Sequence, residues 1–207
     1  MMKDEFAKNR VDWTESVTES DLIITQERGQ LVRHLRAIVE RTRGPEGWAK
    51  LLASVSEPCR LAFDGSIGVF EWVDARLATE LSMAFNEGSG EALTADRGRE
   101  AAREQLTTVN RWMLRFLSPS FLLSNFSQFF RFYFMGGRIQ VEHEGGDTAL
   151  IHIWAIGLYP DFWASGAPGW LEEALRMTGC QEVEVRYEAP SGRGPEACHH
   201  RYHLIWR

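Results

Sequence analysis

The stretch RIQVEHEGGDTALIHIWAI, residues 138–156, decides how this chain is read. Its first seven residues alternate: Ile139, Val141 and His143 fall on one face, and Arg138, Gln140, Glu142 and Glu144 on the other. Alternation of this kind is the mark of a half-buried strand. The Gly-Gly-Asp that follows is a favoured hairpin turn, so TALIHIWAI returns as the antiparallel partner. Most of the chain before this stretch repeats with a helical period. Everything after it is one helix and two strands.

Upstream, Leu31, Leu35, Ile38 and Val39 predict a helix over 30–42, and Pro45 stands near the start of a second one through Trp48, Leu51, Leu52 and Val55. Residues 56–73 read as an irregular connector, and 71–87 as a helix carrying Trp72, Ala75, Leu77, Leu81 and Phe85. A long helix starts near Asp96 and runs to Leu117. A further helix is expected over 118–134, capped by Ser118 with Pro119 at its first position. Residues 21–26, DLIITQ, read as a short strand. Downstream, APGWLEEALRMTG is a helix stopped by Gly179, EVEVRY is a strand, and CHHRYHLIWR (198–207) is the last strand. The fold class is therefore α+β: N-terminal helices packed on an antiparallel sheet of β-β-α-β-β order. Residues 1–20 are expected as a flexible tail. Residues 21–207 form one domain, helical over 28–135 and sheet over 138–207.

The last stretch gathers one cysteine and three histidines. On a strand, Cys198, His200, Tyr202, Leu204 and Trp206 share one face, and His199, Arg201, His203 and Ile205 the other. Tyr202, Leu204 and Trp206 read as the core face, and the histidines opposite as exposed edge or interface residues. A metal at Cys198 and His200 would need more ligands from His143, His152 or Cys180, and the spacing follows no standard zinc pattern. A Cys/His nucleophile pair lacks an orienting third group. No paired carboxylates or Ser/His/Asp context occurs, so no enzyme is expected and no cofactor is assigned.

Composition narrows the partners. The 207 residues carry a net charge of -6, which disfavours nucleic acid. No run approaches the ~18 apolar residues of a membrane span. Three widely spaced cysteines and an N-terminus without an apolar run fit the cytoplasm. The excess is aromatic: 8 Trp and 12 Phe. Phe126, Phe129, Phe130 and Tyr133 form one helical stripe, while Phe132 and Phe134 fall off it. A helix apolar on more than one face is buried on several sides, meets a second copy or another protein, or walls a small apolar ligand. The candidate pocket residues are Trp112, Phe116, Phe126, Phe130, Tyr133, Trp154 and Trp163, with His152 orienting a ligand's polar end. A pocket of this kind calls for a cavity of roughly 300 Å³ or more.

The segment GQLVRHLRAIVERTRGPEGWAKLLASV, the later SPSFLL and the ending G…C…W resemble a protein family abundant in myxobacteria. Gly29, Leu35, Gly44, Gly47, Trp48, Leu51, Leu52, the run Ser118 to Leu123, Gly194, Cys198 and Trp206 carry the likeness, over about residues 28–207. The same C-terminal plan is similar to a wider group: haem–nitric-oxide-binding domains, 4-vinyl reductase domains, sensor domains of phenol-responsive activators and TRAPP subunits. That resemblance implies a ligand-binding or adaptor module in signal transduction, often a homodimer. It also implies departures. The haem-binding branch uses a helical histidine and a Tyr-x-Ser-x-Arg motif. This chain has no histidine between Thr94 and Arg138 and no such motif. Of the phenol-sensor zinc ligands, only Cys198 has a counterpart.

Overall fold

A computed structural model describes residues 18–89, 95–114, 118–159, 161–191 and 194–207, without the side chains of 88–89, 107–114 and 194–195. The first hairpin strand, Arg138–His143, pairs antiparallel with the second, Thr148–Trp154, in a register running from Arg138↔Trp154 to His143↔Ala149. The last strand, His199–Trp206, pairs with the second hairpin strand and with Val183–Glu188. In chain order, with three short strands upstream, these are β4, β5, β6 (Val183–Glu188) and β7 (His199–Trp206). The sheet order is β4-β5-β7-β6. The helix Ala167–Met177 crosses between β5 and β6 and lies on the sheet's inner face.

Alternation holds along this sheet. Ala149, Ile151 and Ile153 of β5 are buried, as are Tyr202, Leu204 and Trp206 of β7. Tyr202 is fully enclosed, and its hydroxyl donates to the Trp163 carbonyl at 3.0 Å. Tyr202→Phe strands that carbonyl in a dry core. Urea unfolding is expected to show a loss of about 1–2 kcal/mol.

The other face of β7 departs from the sequence reading. The sheet order places β7 in the interior, so it is no edge strand. His199 is 5% exposed, stacked 4.3 Å from the Trp154 ring and 5.1 Å from His152. Strand alternation tells which residues share a face. It does not tell what covers that face, and here Trp154 and Glu196 close over His199. His203 stays open to solvent, its side chain 44% exposed.

The helical half runs α1 (Glu19–Leu22), β1 (Gln26–Arg28), α2 (Gly29–Arg43), α3 (Gly47–Leu52), α4 (Glu57–Phe63), β2 (Trp72–Asp74), α5 (Ala75–Ser89), α6 (Ala95–Leu114), α7 (Pro119–Ser124), α8 (Phe126–Tyr133) and β3 (Phe134–Met135). Ala167–Met177 is α9. Four expectations change. Residues 1–17 of the expected tail lie outside the described residues, and α1 begins at Glu19. The predicted strand 21–26 is α1 followed by β1, because Asp21 returns a bond to the Thr18 amide and closes a helical turn. The connector holds α4, capped by Ser56, whose oxygen accepts from the Cys59 amide at 3.4 Å. Its buried stripe is only Cys59 and Phe63, too short to register as a period. Trp72 belongs to β2, not to the following helix.

The expected single helix over 118–134 is two. Ser118 caps the first as predicted, its oxygen accepting from the Phe121 amide at 3.2 Å. Asn125 then ends α7: its backbone leaves the helical conformation, and its side-chain amide donates to the Phe121 carbonyl at 2.8 Å. Phe134 leaves the helix and starts β3, which with β2 flanks β1 in a second, three-stranded sheet of order β2-β1-β3.

Two helices come unusually close. Gly98 of α6 and Gly169 of α9 each face the partner helix's backbone: a Cβ on Gly98 would run into the Gly166 carbonyl, and one on Gly169 into the Ala95 carbonyl. Arg103 spans the same pair with two bonds to Glu173, at 2.7 and 3.0 Å, and Arg99 reaches Glu172.

Candidate functional site

The helices do not share one core with the sheet. Val32, Val39, Leu51, Phe63, Leu81 and Phe85 form an apolar cluster within α2–α5. A second cluster joins α6–α9 to the sheet, through residues such as Phe130, Ile151, Leu175 and Tyr202. Where the clusters meet, the structure leaves a cavity of about 170 Å³. Val32, Leu35 and Ile38 of α2 wall one side, and Phe126, Phe130 and Tyr133 of α8 another.

The aromatic wall follows from local structure. Phe126, Phe130 and Tyr133 are buried on one stripe of α8. Phe130 lies 5.1 Å from Phe134, Phe134 5.8 Å from Phe162, and Phe162 4.9 Å from Trp163, ring centre to ring centre. The last two sit on a turn of π-helix, Phe162–Gly166, that leads into α9. A π turn inserts one extra residue per turn, and such turns re-aim side chains at sites. Phe132 faces away, packed against Phe70 at 6.1 Å and under the Arg28 guanidinium. The helix is apolar on two faces because it is covered on two faces.

The polar atoms at the cavity are few. Glu27, from the centre of β1, is 8% exposed, and burial pushes its carboxyl up to about 8. Tyr159 lines the same space, its hydroxyl held well above its ordinary pKa by burial and by the nearby Glu27. Gln105 of α6 accepts from the Trp170 indole at 2.9 Å. His34 of α2 places Nδ1 2.5 Å from Glu104, while its Nε2 is buried without a hydrogen-bond partner among the described residues. Arg97 lies over the Phe85 ring at 4.9 Å.

Of the residues singled out from the sequence, Phe126, Phe130, Tyr133 and Trp163 line this cavity. His152 and Trp154 do not. They project from the opposite face of the sheet, where His152 Nδ1 and His199 Nε2 share a hydrogen bond of 2.9 Å. The period-two rule explains it: Ile151 and Ile153 point inward, so their neighbours point out. Phe116 and the side chain of Trp112 lie outside the described residues. The cavity is also about half the size the sequence reading called for, because the α8 and π-turn rings fill the space between the two cores.

At the C-terminus, His200 sits against Tyr187, whose hydroxyl is 2.8 Å from Nδ1, and stacks on Trp163 at 4.6 Å. Burial drops its pKa to about 4, so it is neutral at physiological pH. Among the described residues no three metal-ligating side chains lie close enough to share an ion.

Sequence reasoning missed Glu27, His34 and Tyr159. Glu27 sits in a three-residue strand too short to show alternation, and His34 meets Glu104 only across 70 positions of chain. No spacing signal was available for either.

The sequence matches no family model and no curated protein. Its structure is similar to solved ones. An H-NOX protein from K. algicida, in the Fe(II) unliganded state, matches with a TM-score of 0.66 at 10% identity, over 87% of this chain and 96% of that one. An oxygen-binding H-NOX domain related to soluble guanylate cyclases matches at 0.58 and 15%, over 87% and 95%. An H-NOX protein from S. oneidensis in the Fe(II)NO ligation state matches at 0.60 and 11%, over 87% and 99%. The chain has the H-NOX fold.

Identities this low speak for the backbone, not for what is bound. The H-NOX fold raises the question of haem, and the cavity residues do not fit it. About 170 Å³ is below even the ~300–1,000 Å³ that drug-sized ligands occupy, and a porphyrin is larger still. The rings of Phe126, Phe130, Phe134 and Trp163 all line this small space. The imidazole of His34 has the carboxylate-backed arrangement of a metal ligand, but it stands alone in that role at this wall.

Proposed function

We propose that this chain is a non-enzymatic, cytoplasmic ligand-binding module of a signalling or adaptor system, and that its ligand is a small, mostly apolar molecule held between the two cores. The supporting observation is the aromatic-walled cavity of about 170 Å³ at their junction. An apolar space of ~150 Å³ is large enough to admit a benzene-sized guest. Residues of both cores line this cavity. A guest therefore touches both and biases how α2–α5 sit against the sheet, which is how a small molecule becomes a signal.

Toluene is the probe. At saturating concentration it is expected to raise the thermal midpoint of the full chain by a few degrees, in proportion to ln(1 + [L]/Kd). Ala101 of α6 lines the cavity. Ala101→Phe fills the space from within and is expected to abolish the shift while keeping the native circular dichroism. A midpoint unmoved by toluene, or moved equally in the variant, would refute the reading.

A further inference from the structure

Glu27 is the acid at the cavity wall. It occupies the middle of β1, with Val73 on one flanking strand and Phe134 on the other as its ladder partners. Pairing on both sides holds the backbone, and strand alternation turns Glu27 away from Gln26 and Arg28. Arg28 is engaged elsewhere, bonded to the carbonyls of Phe132 and Phe70 and lying 3.7 Å over the Trp72 ring. The Glu27 carboxyl faces the cavity and has neither a hydrogen-bond nor an ion-pair partner among the described residues. An unpartnered buried carboxyl costs stability, and an aliphatic side chain would close this core better. The charged groups facing it from other elements have their own contacts: Arg97 of α6 with Phe85, and His34 of α2 with Glu104. Phe134, its ladder partner, and Tyr159 line the cavity with it, as do Tyr133 and Trp163.

A carboxylate at the edge of an aromatic cage is the chemistry that recognises an ammonium group. The carboxylate takes the N–H bonds and the ring faces attract the charge. An anion would be repelled once Glu27 ionises, and a neutral carbonyl compound would use the protonated Glu27 as a single donor and gain little from the rings. We propose that the cavity selects a small organic amine of about benzylamine size, its ammonium on the Glu27 carboxylate and its hydrocarbon against the aromatic wall. This rests on the ligand-binding reading above and names the class of ligand.

The proton balance follows. Burial keeps Glu27 protonated in the free protein until about pH 8. Below that, an ammonium enters as the carboxyl gives its proton to solvent: the COOH and the ammonium become an ion pair, and one H⁺ is released. Affinity for the amine therefore rises as pH climbs from about 6 to about 8. Tyr159 stays neutral throughout, since burial raises its hydroxyl further.

The test is calorimetric titration of the full chain with benzylamine and with toluene, its uncharged isostere, at about pH 6 and about pH 8. Benzylamine is expected to bind about tenfold or more tightly than toluene at the higher pH. Near neutral pH it should release close to one proton, read from the heat in two buffers of different ionisation enthalpy. Glu27→Gln should cost about tenfold in benzylamine affinity and leave toluene within about twofold. The proton count uses the unsubstituted protein, so it stands even if the variant fails to fold. Equal binding of the two probes, no released proton, or an indifferent Glu27→Gln overturns the assignment. Toluene binding without amine preference removes this inference alone; uptake of neither probe removes the cavity reading as well.

Discussion

Glu27→Gln is expected to stabilise the protein at mildly alkaline pH and to leave it nearly unchanged in acid. The folded chain holds the Glu27 proton until about 8, against 4.5 for an ordinary glutamate. Between those values the folded state binds more protons than the unfolded one. Stability from this group is therefore full below about 4.5 and falls as pH rises towards about 8, by about 1.4 kcal/mol per unit. Glutamine has no proton to lose. Urea unfolding of the two proteins across this range should show curves that coincide in acid and diverge with rising pH, the variant ahead by on the order of 4 kcal/mol at the top. Parallel curves would mean that Glu27 is solvated or paired in solution.

The second large effect lies at the α6–α9 crossing. Ala is a better helix former than Gly by about 1 kcal/mol, so propensity alone predicts that Gly98→Ala stabilises. The packing predicts the reverse. The new methyl meets the Gly166 carbonyl and the Trp170 amide nitrogen, backbone atoms that cannot rotate aside. Overpacking of this kind costs about 3 kcal/mol, so a net loss of about 2 kcal/mol or more is expected. That lowers the midpoint by roughly 4–8 °C in a chain of this length. Gly65→Ala is the control: nothing lies within 4 Å of a Cβ there, and the midpoint should hold or rise. Gly98 and Gly166 also line the cavity, so a separated α6–α9 pair should bind the toluene probe differently.

The sheet was readable because its physics is local. Alternation at 138–144, the Gly-Gly-Asp turn and the run 198–207 each declare themselves within a few residues, and together they specify β-β-α-β-β; the observed last strand begins one residue later, at His199. The stripe Phe126, Phe130 and Tyr133 was equally plain, and it walls the cavity. The misreadings share a cause. The break at Asn125 is a change of backbone at one residue, α4 has only two buried apolar residues, and His199 is covered by residues from another strand and a turn. None of these changes a hydrophobic period.

The sequence by itself determined the class of fold, the faces of the long strands and the aromatic character of one wall, because periodicity is a property of neighbours along the chain. Only the tertiary structure decided that His152 and Trp154 turn away from the cavity, that the cavity is small, and that Glu27, His34 and Tyr159 are among its polar residues. Those residues come from a three-residue strand, a helix and a loop far apart in sequence. What brings them together is the meeting of two separately packed cores, and no spacing along the chain encodes that meeting.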